Sequence, residues 1–481
     1  MHGCSVRNRL SDNQIKIHFV GQTFTTGTVA LATQIGRALF YPITGKPSVV
    51  RKALSMNELK LEKTTLRIVA WRLIPFVSLL YLLNILDRAN VGFARLQMQD
   101  DLQLSETAFN LGYGMFYLGY LFFELPSNLL MQRIGARRWI ARIMISWGLI
   151  SSATMFANDQ WTFYGLRILL GIAEAGFFPG IILYLSYWFP DRERGKMTAF
   201  FMLAIGLASV FGNPISGLIM QYLDTVAGLH GWQWLFLLEG IPSVIMGFVV
   251  LVYLTDYPKH ATWLSGEQRD WLVARMKREE DARRSLHNAD RLAAIMQWRV
   301  WLLIAIYFTV AVGTNAGGAY FPKLIKEQFE SLSTFQIGLL SALPHVCAVV
   351  GMTLFGISSD RRHERRGHLA VAALMGATGW ALTAWSPSPV LSLVGLCIAQ
   401  TGMMSMLPVF WTLPTAFLTG AAAAGGIALI NSVANIGGFF GATILGSFGL
   451  WSMAAFLLAG AVLAMTVGAK PENALATPSE N

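Results

Sequence analysis

The sequence predicts an all-α membrane protein of twelve transmembrane helices in two six-helix lobes. Three observations predict it. The 481 residues are 54% hydrophobic and only 13% charged, with a mean hydropathy of +0.49, whereas soluble domains are about a quarter charged. Apolar stretches of about twenty residues, each long enough to cross a hydrocarbon core of roughly 30 Å, recur after residue 68. One long charged interruption, residues 256–299, divides them six and six. Lipid offers free backbone groups no partner and the runs lack the alternation of barrel strands, so the spans are helices.

Residues 1–55 stand outside this pattern as an atypical N-terminal extension. Seven Lys or Arg face Asp12 alone there, which supplies six of the net +10 charges. The segment resembles a transit peptide in composition, but MNELKLEKTTLRIVAWR reads as an ordinary lead into span one, so translation is expected to begin at Met56. The N-terminal lobe then occupies 56–255, with spans at 69–93, 108–131, 137–156, 161–189, 197–221 and 233–255. The charged segment 256–299, including REEDARR at 278–284, reads as a solvated inter-lobe loop. The C-terminal lobe, 300–468, carries spans at 300–321, 334–357, 368–386, 389–412, 424–447 and 449–468, and 469–481 is a tail.

Basic residues crowd the loops after spans two (Arg133, Arg137, Arg138), four (Arg192, Arg194, Lys196) and eight (Arg361, Arg362, Arg365, Arg366). The positive-inside rule places those loops and both termini in the cytoplasm, and the loop with Asp100, Asp101 and Glu106 outside. Gly135–Arg138 and Glu364–Arg366 follow the second span of each half, so the halves read as copies with a binding site between them near the midplane.

Several classes are excluded or unsupported. Cys4, Cys347 and Cys397 form neither a disulfide framework nor a metal spacing. No phosphate-binding Gly-rich loop is present, so transport would draw on an ion gradient. No metal, cofactor, nucleophile or nucleic-acid partner is expected; the expected partners are a small organic anion, protons and the lipid bilayer.

The interior charges carry the chemistry. Asp87 and Arg88 lie in span one, Glu124 in span two, Arg167 and Glu174 in span four and His345 in span eight. The four in spans one and four would cost about 10 kcal/mol together if unpaired, at roughly 2.5–3.5 kcal/mol each. Arg167 and Glu174, seven residues apart, share one helix face, about 10 Å apart along the axis. Asp87 and Arg88 diverge by about 100° and are poor partners for one another. Tyr81 and Asn84 fall on the Arg88 stripe. An arginine grips a carboxylate through two parallel hydrogen bonds, and a buried carboxylic acid can exchange protons near neutrality. Those are parts of a proton-coupled anion importer; the plainer alternative is that Arg167 and Glu174 only pair spans together. His345 reads equally as proton relay, substrate contact or packing residue, Glu124 as structural, and the aromatic stretches as packing.

LDRANVGFA at 86–94, FELPSNLLMQRIGARRWIARI at 123–143, RILLGIAEAGFFPGI at 167–181, GWQWLFLLEGIP at 231–242 and GGIALINSVANIGGFFG at 425–441 make the chain resemble the major facilitator superfamily. Within it the chain resembles the anion:cation symporters, nearest the tartrate and phthalate permease branch. The resemblance implies that Asp87 and Glu174 take up protons and that Arg88 and Arg167 serve anion recognition. It places Asn431 and Asn435 where the C-terminal lobe faces the site. GISSDRRHERR resembles the superfamily's gate motif, so Asp360 is expected to cap a neighbouring helix end beside Arg361, with Arg137 and Arg138 in the equivalent gate of the first half. Gln132 stands where that gate often has Asp, so the first half of the gate is expected to be weakened or latched differently. Span five has no Gln or Asn in FFMLAIGLASVFG to read a polyhydroxyl chain, although Asn213 and Pro214 follow deeper in the span; this weighs against a six-carbon sugar acid.

A dianion entering against 100 mV faces roughly 4.6 kcal/mol, which two protons cancel. Two protons per dicarboxylate, or one per monocarboxylate, are therefore expected, by alternating access, in a monomer of the cell inner membrane. The rivals are a hexonate permease, an exporter of drugs with the same fold, and a membrane receptor or enzyme. Two buried arginines argue against the exporter.

Overall fold

A computed structural model describes residues 56–285, 298–362, 364–417 and 420–467. The extension 1–55 and the tail 469–481 lie outside the described residues, as do 286–297 of the inter-lobe loop. Of the stretch up to Lys60, only the opening of the first helix is described; the residues from Leu61 onward form one compact unit.

The described residues are helical with short connections. In chain order they are α1 (Met56–Asp101), α2 (Glu106–Ile134), α3 (Ala136–Ala153), α4 (Gln160–Glu174), α5 (Phe177–Trp188), α6 (Asp191–Tyr222), α7 (Gly231–Tyr253) and α8 (Gly266–Ser285). There follow α9 (Trp298–Gln328), α10 (Thr334–Arg362), α11 (Arg366–Trp385), α12 (Pro389–Phe410), α13 (Thr412–Phe417), α14 (Gly420–Phe448) and α15 (Leu450–Thr466). Ten helical stretches among the described residues are long and apolar enough to cross a membrane, α4 and α5 counting together; α15 is a shorter apolar helix. With α2 these are the twelve expected spans, and α8 lies in the charged interruption.

Span four departs from expectation. It is two helices, because Ala175 is extended and Gly176 takes φ +86°, so α4 stops at Glu174 and α5 starts at Phe177. The positive φ is the conformation that glycine adopts at no steric cost.

Pairing repeats from one half to the other. α3 packs on α7 and α2 on α4; six spans later α11 packs on α15 and α10 on α12. The seam between halves is built the same way, from α6 against α10 and α2 against α14. Small residues set these distances. A Cβ on Gly148 or on Gly240 would come within 2.8 Å of the other's carbonyl oxygen, so α3 and α7 touch backbone to backbone.

Candidate functional site

The two charges of span one go separate ways. Asp87 is buried and turned toward α3 and α7. Its carboxylate accepts hydrogen bonds from Trp147 Nε1 (2.7 Å), Ser151 Oγ (2.8 Å), Ser243 Oγ (2.9 Å) and, more weakly, Asn90 Nδ2 (3.4 Å). Arg88 turns toward α2 and α4, where its guanidinium is ion-paired with Glu174 and lies 5.1 Å and 5.0 Å from the ring centres of Phe116 and Tyr120. The 100° helical offset between adjacent residues is what divides them.

Arg167 completes the arrangement. Its guanidinium carbon is 5.0 Å from the Phe116 ring centre, so the two guanidinium groups lie within about 10 Å of each other around one ring. Arg167 is buried, and among the described residues it makes one long hydrogen bond, from Nη2 to the Tyr113 carbonyl oxygen at 3.4 Å. Nε and Nη1 are buried with no hydrogen-bond partner, and no described carboxylate pairs with it. A buried guanidinium with two idle N–H groups is a strong donor set awaiting an acceptor.

The wall of the site comes from α2. Tyr113, Phe116, Tyr117 and Tyr120 are buried at i, i+3, i+4 and i+7, which makes one face of the helix aromatic. Tyr117 donates to the amide oxygen of Asn315 on α9. These aromatics, read from sequence as packing, surround both arginines. The signal was present in YGMFYLGY as helical spacing.

Of the remaining predicted residues, Asn84 is buried one turn before Arg88 with both amide atoms unpartnered. Tyr81 is stacked against Phe201, ring centres 4.5 Å apart, and against Phe178 at 5.4 Å. Asn431 Nδ2 donates to Glu124 Oε1 (2.9 Å) and Ser432 Oγ to Glu124 Oε2 (3.1 Å), so Glu124 ties α2 to α14. Asn435 is half-buried one turn further along α14, between Asn431 and Gly438, where a Cβ would come within 2.5 Å of the Tyr117 ring. His345 lies within the C-terminal half, Nδ1 3.2 Å from Gln400 Nε2 and its ring 6.2 Å from Phe321. The structure therefore brings Arg88, Glu174 and Arg167 together, sets Asp87 behind them, and leaves His345 apart.

The gate residues need one correction. Among the described residues Asp360 caps no neighbouring helix; it is exposed and pairs with Arg365 Nη1 at 2.7 Å. Glu364 is the cap, accepting from the backbone N–H of Gly367 (2.6 Å) and His368 (3.1 Å) at the start of α11. Those hydrogen bonds outweigh the effect of burial and hold its carboxyl below the usual range. Capping falls to Glu364 because it precedes the first turn of α11, where backbone N–H groups lack partners. In the first half Asp256, at the far end of α7, accepts from the Arg137 N–H at 2.8 Å, with Arg137 Nε at 3.9 Å. Arg138 and Arg361 are exposed.

Two groups were missed. Glu239, in the apolar run of α7, is buried with Oε1 accepting from Ser216 Oγ at 2.8 Å and Oε2 without a partner. It sits one turn before Ser243, the Asp87 ligand. Its signal was an acid inside FLLEGIP. The second group closes one end of the seam. Glu106 accepts from Arg95 Nη2 (2.9 Å), Tyr320 Oη (2.9 Å) and Lys323 Nζ (2.6 Å), and Asn110 Nδ2 donates to Tyr320 Oη at 2.7 Å. α2 and α9 are thus latched together at the end of the bundle where α1 finishes.

A family model described as Major Facilitator Superfamily matches residues 77–442. A relative from Agrobacterium vitis named "Putative tartrate transporter" is 45% identical over 430 residues, covering 88% of this chain and 95% of its own length. A "Quinolone resistance transporter" from Acinetobacter baumannii is 40% identical over 420 residues, covering 85% and 96%. Among solved structures, the inward open xylose transporter XylE from E. coli superposes with a TM-score of 0.67 at 16% identity, covering 84% of this chain and 98% of that one. The matched family model and the length-wide identity to named transporters show that the chain belongs to the Major Facilitator Superfamily, as a multi-pass secondary transporter rather than an enzyme.

Proposed function

We propose that the protein imports a small organic carboxylate, of the tartrate-like dicarboxylate or phthalate-like aromatic class, by proton symport with alternating access. The observation that carries this reading is Arg167, a buried guanidinium with idle donors and no carboxylate partner, beside the Arg88–Glu174 pair. Leaving such a group unpaired in a membrane interior costs about 2.5–3.5 kcal/mol, a cost that an anion removes on binding. The tartrate transporter name of a 45% identical relative supports the anion class.

Coupling follows from Arg88 having one partner to hold at a time. While Glu174 is ionised it occupies Arg88. A proton on Glu174 releases the guanidinium, and the substrate carboxylate takes its place, so proton and anion load together. Asp87 is the second proton site. Ser151 and Ser243 can rotate their hydroxyls from donating to accepting, so the cluster accommodates either state of the acid. The anion is held by Arg88 and Arg167, with Asn84, Tyr81 and the Asn431–Asn435 face of α14 completing the enclosure. Two protons balance a dicarboxylate, and no cofactor takes part. The basic loops support an orientation with the Arg137 and Asp360 end of the bundle and both termini in the cytoplasm, and the proposed location is the cell inner membrane. The two six-span halves, 56–255 and 300–468, rock about this site in a monomer.

The second reading is an exporter of drugs, favoured by the 40% identical quinolone resistance transporter. Reconstituted protein in liposomes, given labelled tartrate and an acid pulse outside, distinguishes them. The symporter accumulates the label, loses it with a protonophore, and is competed by dicarboxylates or phthalate. Proton-independent uptake would sink the coupling, and competition by quinolones but no carboxylate would favour the exporter.

A further inference from the structure

A second basic site lies at the other end of α1. Its first turns and the end of α7 form a groove of 690 Å³ lined by Lys63, Arg67, Trp71, Arg72, Tyr253 and Trp263 among others. Arg72 is sixteen residues before Arg88, about 24 Å along the helix axis, so the groove is separate from the site described above.

The groove is built around Arg72. Its guanidinium carbon sits 4.7 Å from the Tyr253 ring centre and 5.0 Å from that of Trp263, and its Nε is buried without a hydrogen-bond partner. The rings are themselves fixed. Trp263 stacks on Trp188 with ring centres 5.4 Å apart, Tyr253 packs on Phe76 at 4.3 Å, and the Tyr253 hydroxyl donates to the Arg72 carbonyl oxygen at 3.1 Å. Lys63, Arg67 and Trp71 follow at intervals of four, so two further cations and an indole share one stripe of α1. Among the described residues none of the three cations has a carboxylate partner within ion-pair distance.

The helices that form the groove also carry an exposed apolar flank: Trp71 in the groove is 73% exposed, and on α7 Val252, next to Tyr253, is 88% exposed and Phe248, one turn earlier, 57%. Three unpaired cations call for an anion, and a soluble anion has no use for the apolar flank. A phospholipid offers both a phosphate and an acyl chain, at the depth where tryptophan and basic residues favour the membrane interface.

We infer that this groove binds one anionic phospholipid, its phosphate held by Lys63, Arg67 and Arg72 and an acyl chain lying along Trp71, Phe248 and Val252. The lipid joins the start of α1 to the end of α7, two helices of the N-terminal half that also meet at Asp87 and Ser243.

Native mass spectrometry of the purified full chain in neutral detergent tests this with dioleoylphosphatidylglycerol, dioleoylphosphatidylcholine and inorganic phosphate as probes. Phosphatidylglycerol is expected to be retained at least five-fold better than phosphatidylcholine. The exposed double variant K63Q/R67Q should reduce it to the phosphatidylcholine level with an unchanged melting temperature in lipid-free detergent, while R361Q/R362Q should leave it unchanged. W71A, which keeps every charge, should also weaken retention. Equal retention of both lipids, equal losses in K63Q/R67Q and R361Q/R362Q, or displacement of the lipid by an equal concentration of inorganic phosphate would overturn the inference.

Discussion

Arg88 on α1 is ion-paired with Glu174, the last residue of α4, while its sequence neighbour Asp87 is hydrogen-bonded into α3 and α7. Each charge therefore restrains a different pair of helices. Glu174→Gln removes the acid while keeping its shape, so Arg88 becomes permanently available. The expected outcome is loss of proton-driven accumulation with exchange of preloaded substrate retained. Equal loss of both in proteoliposomes would count against a proton role.

Arg167→Lys keeps the charge and removes the planar fork. A lysine cannot make two parallel hydrogen bonds to a carboxylate, so the half-saturation concentration for a dicarboxylate should rise at least about tenfold. Uptake titrations on protein whose melting temperature matches the parent would show it. An unchanged half-saturation value would remove Arg167 from the binding site.

The Glu106 latch predicts a pH response of known sign. Burial pushes the Glu106 carboxyl up, but hydrogen bonds from Lys323 and Tyr320 and the charge of Arg95 outweigh it, and the net direction is down. A carboxyl lowered in the folded state contributes fully above its unfolded value and loses that contribution as pH falls through the lowered one. The latch should stay shut from pH 7 to the usual carboxylate range and loosen only below it. Spin-label distances between the Glu106 end of α2 and the Lys323 end of α9 would report this. Lys323→Gln should move the loosening to higher pH.

Asp256→Ala removes the acceptor for the Arg137 backbone N–H at the start of α3. Loss of a helix N-terminal acceptor costs about 0.5–2 kcal/mol. Scanning fluorimetry in detergent should show a lowered melting temperature, and an Asp256→Asn variant should recover part of it. A change no larger than that of an exposed substitution such as Lys277→Ala would mean the bond carries no stability.

The spans were legible because twenty apolar residues have few alternatives in length or pattern. The opposite directions of Asp87 and Arg88 were legible too, since helical geometry alone separates neighbours. Partners were not. Which helix Arg88 meets depends on tertiary packing, and Glu174 was read as sharing a face with Arg167 when it reaches across to span one. Arg95 and Glu106 fell near span ends, where charges are ordinary, so their union with Tyr320 and Lys323 from the other half left no mark in the sequence. Glu239 had a mark, an acid within an apolar run, as did the break after Glu174, where AGFFPG places a glycine and a proline inside a span. The motif pointed to Asp360 as a cap, whereas Glu364 directly precedes α11 and reaches its free N–H groups.

The two gate turns look equivalent but are anchored differently. Glu364 belongs to the turn that it closes, and Arg366 beside it donates to the Met465 carbonyl oxygen at the end of α15, so that turn is held within its own half. Asp256 stands just past α7, at the root of the segment joining the halves, and holds the start of α3 from there. The near-copies are therefore tethered differently: the first gate turn is tied to the root of the connecting segment, and the second to the last helix of its own half.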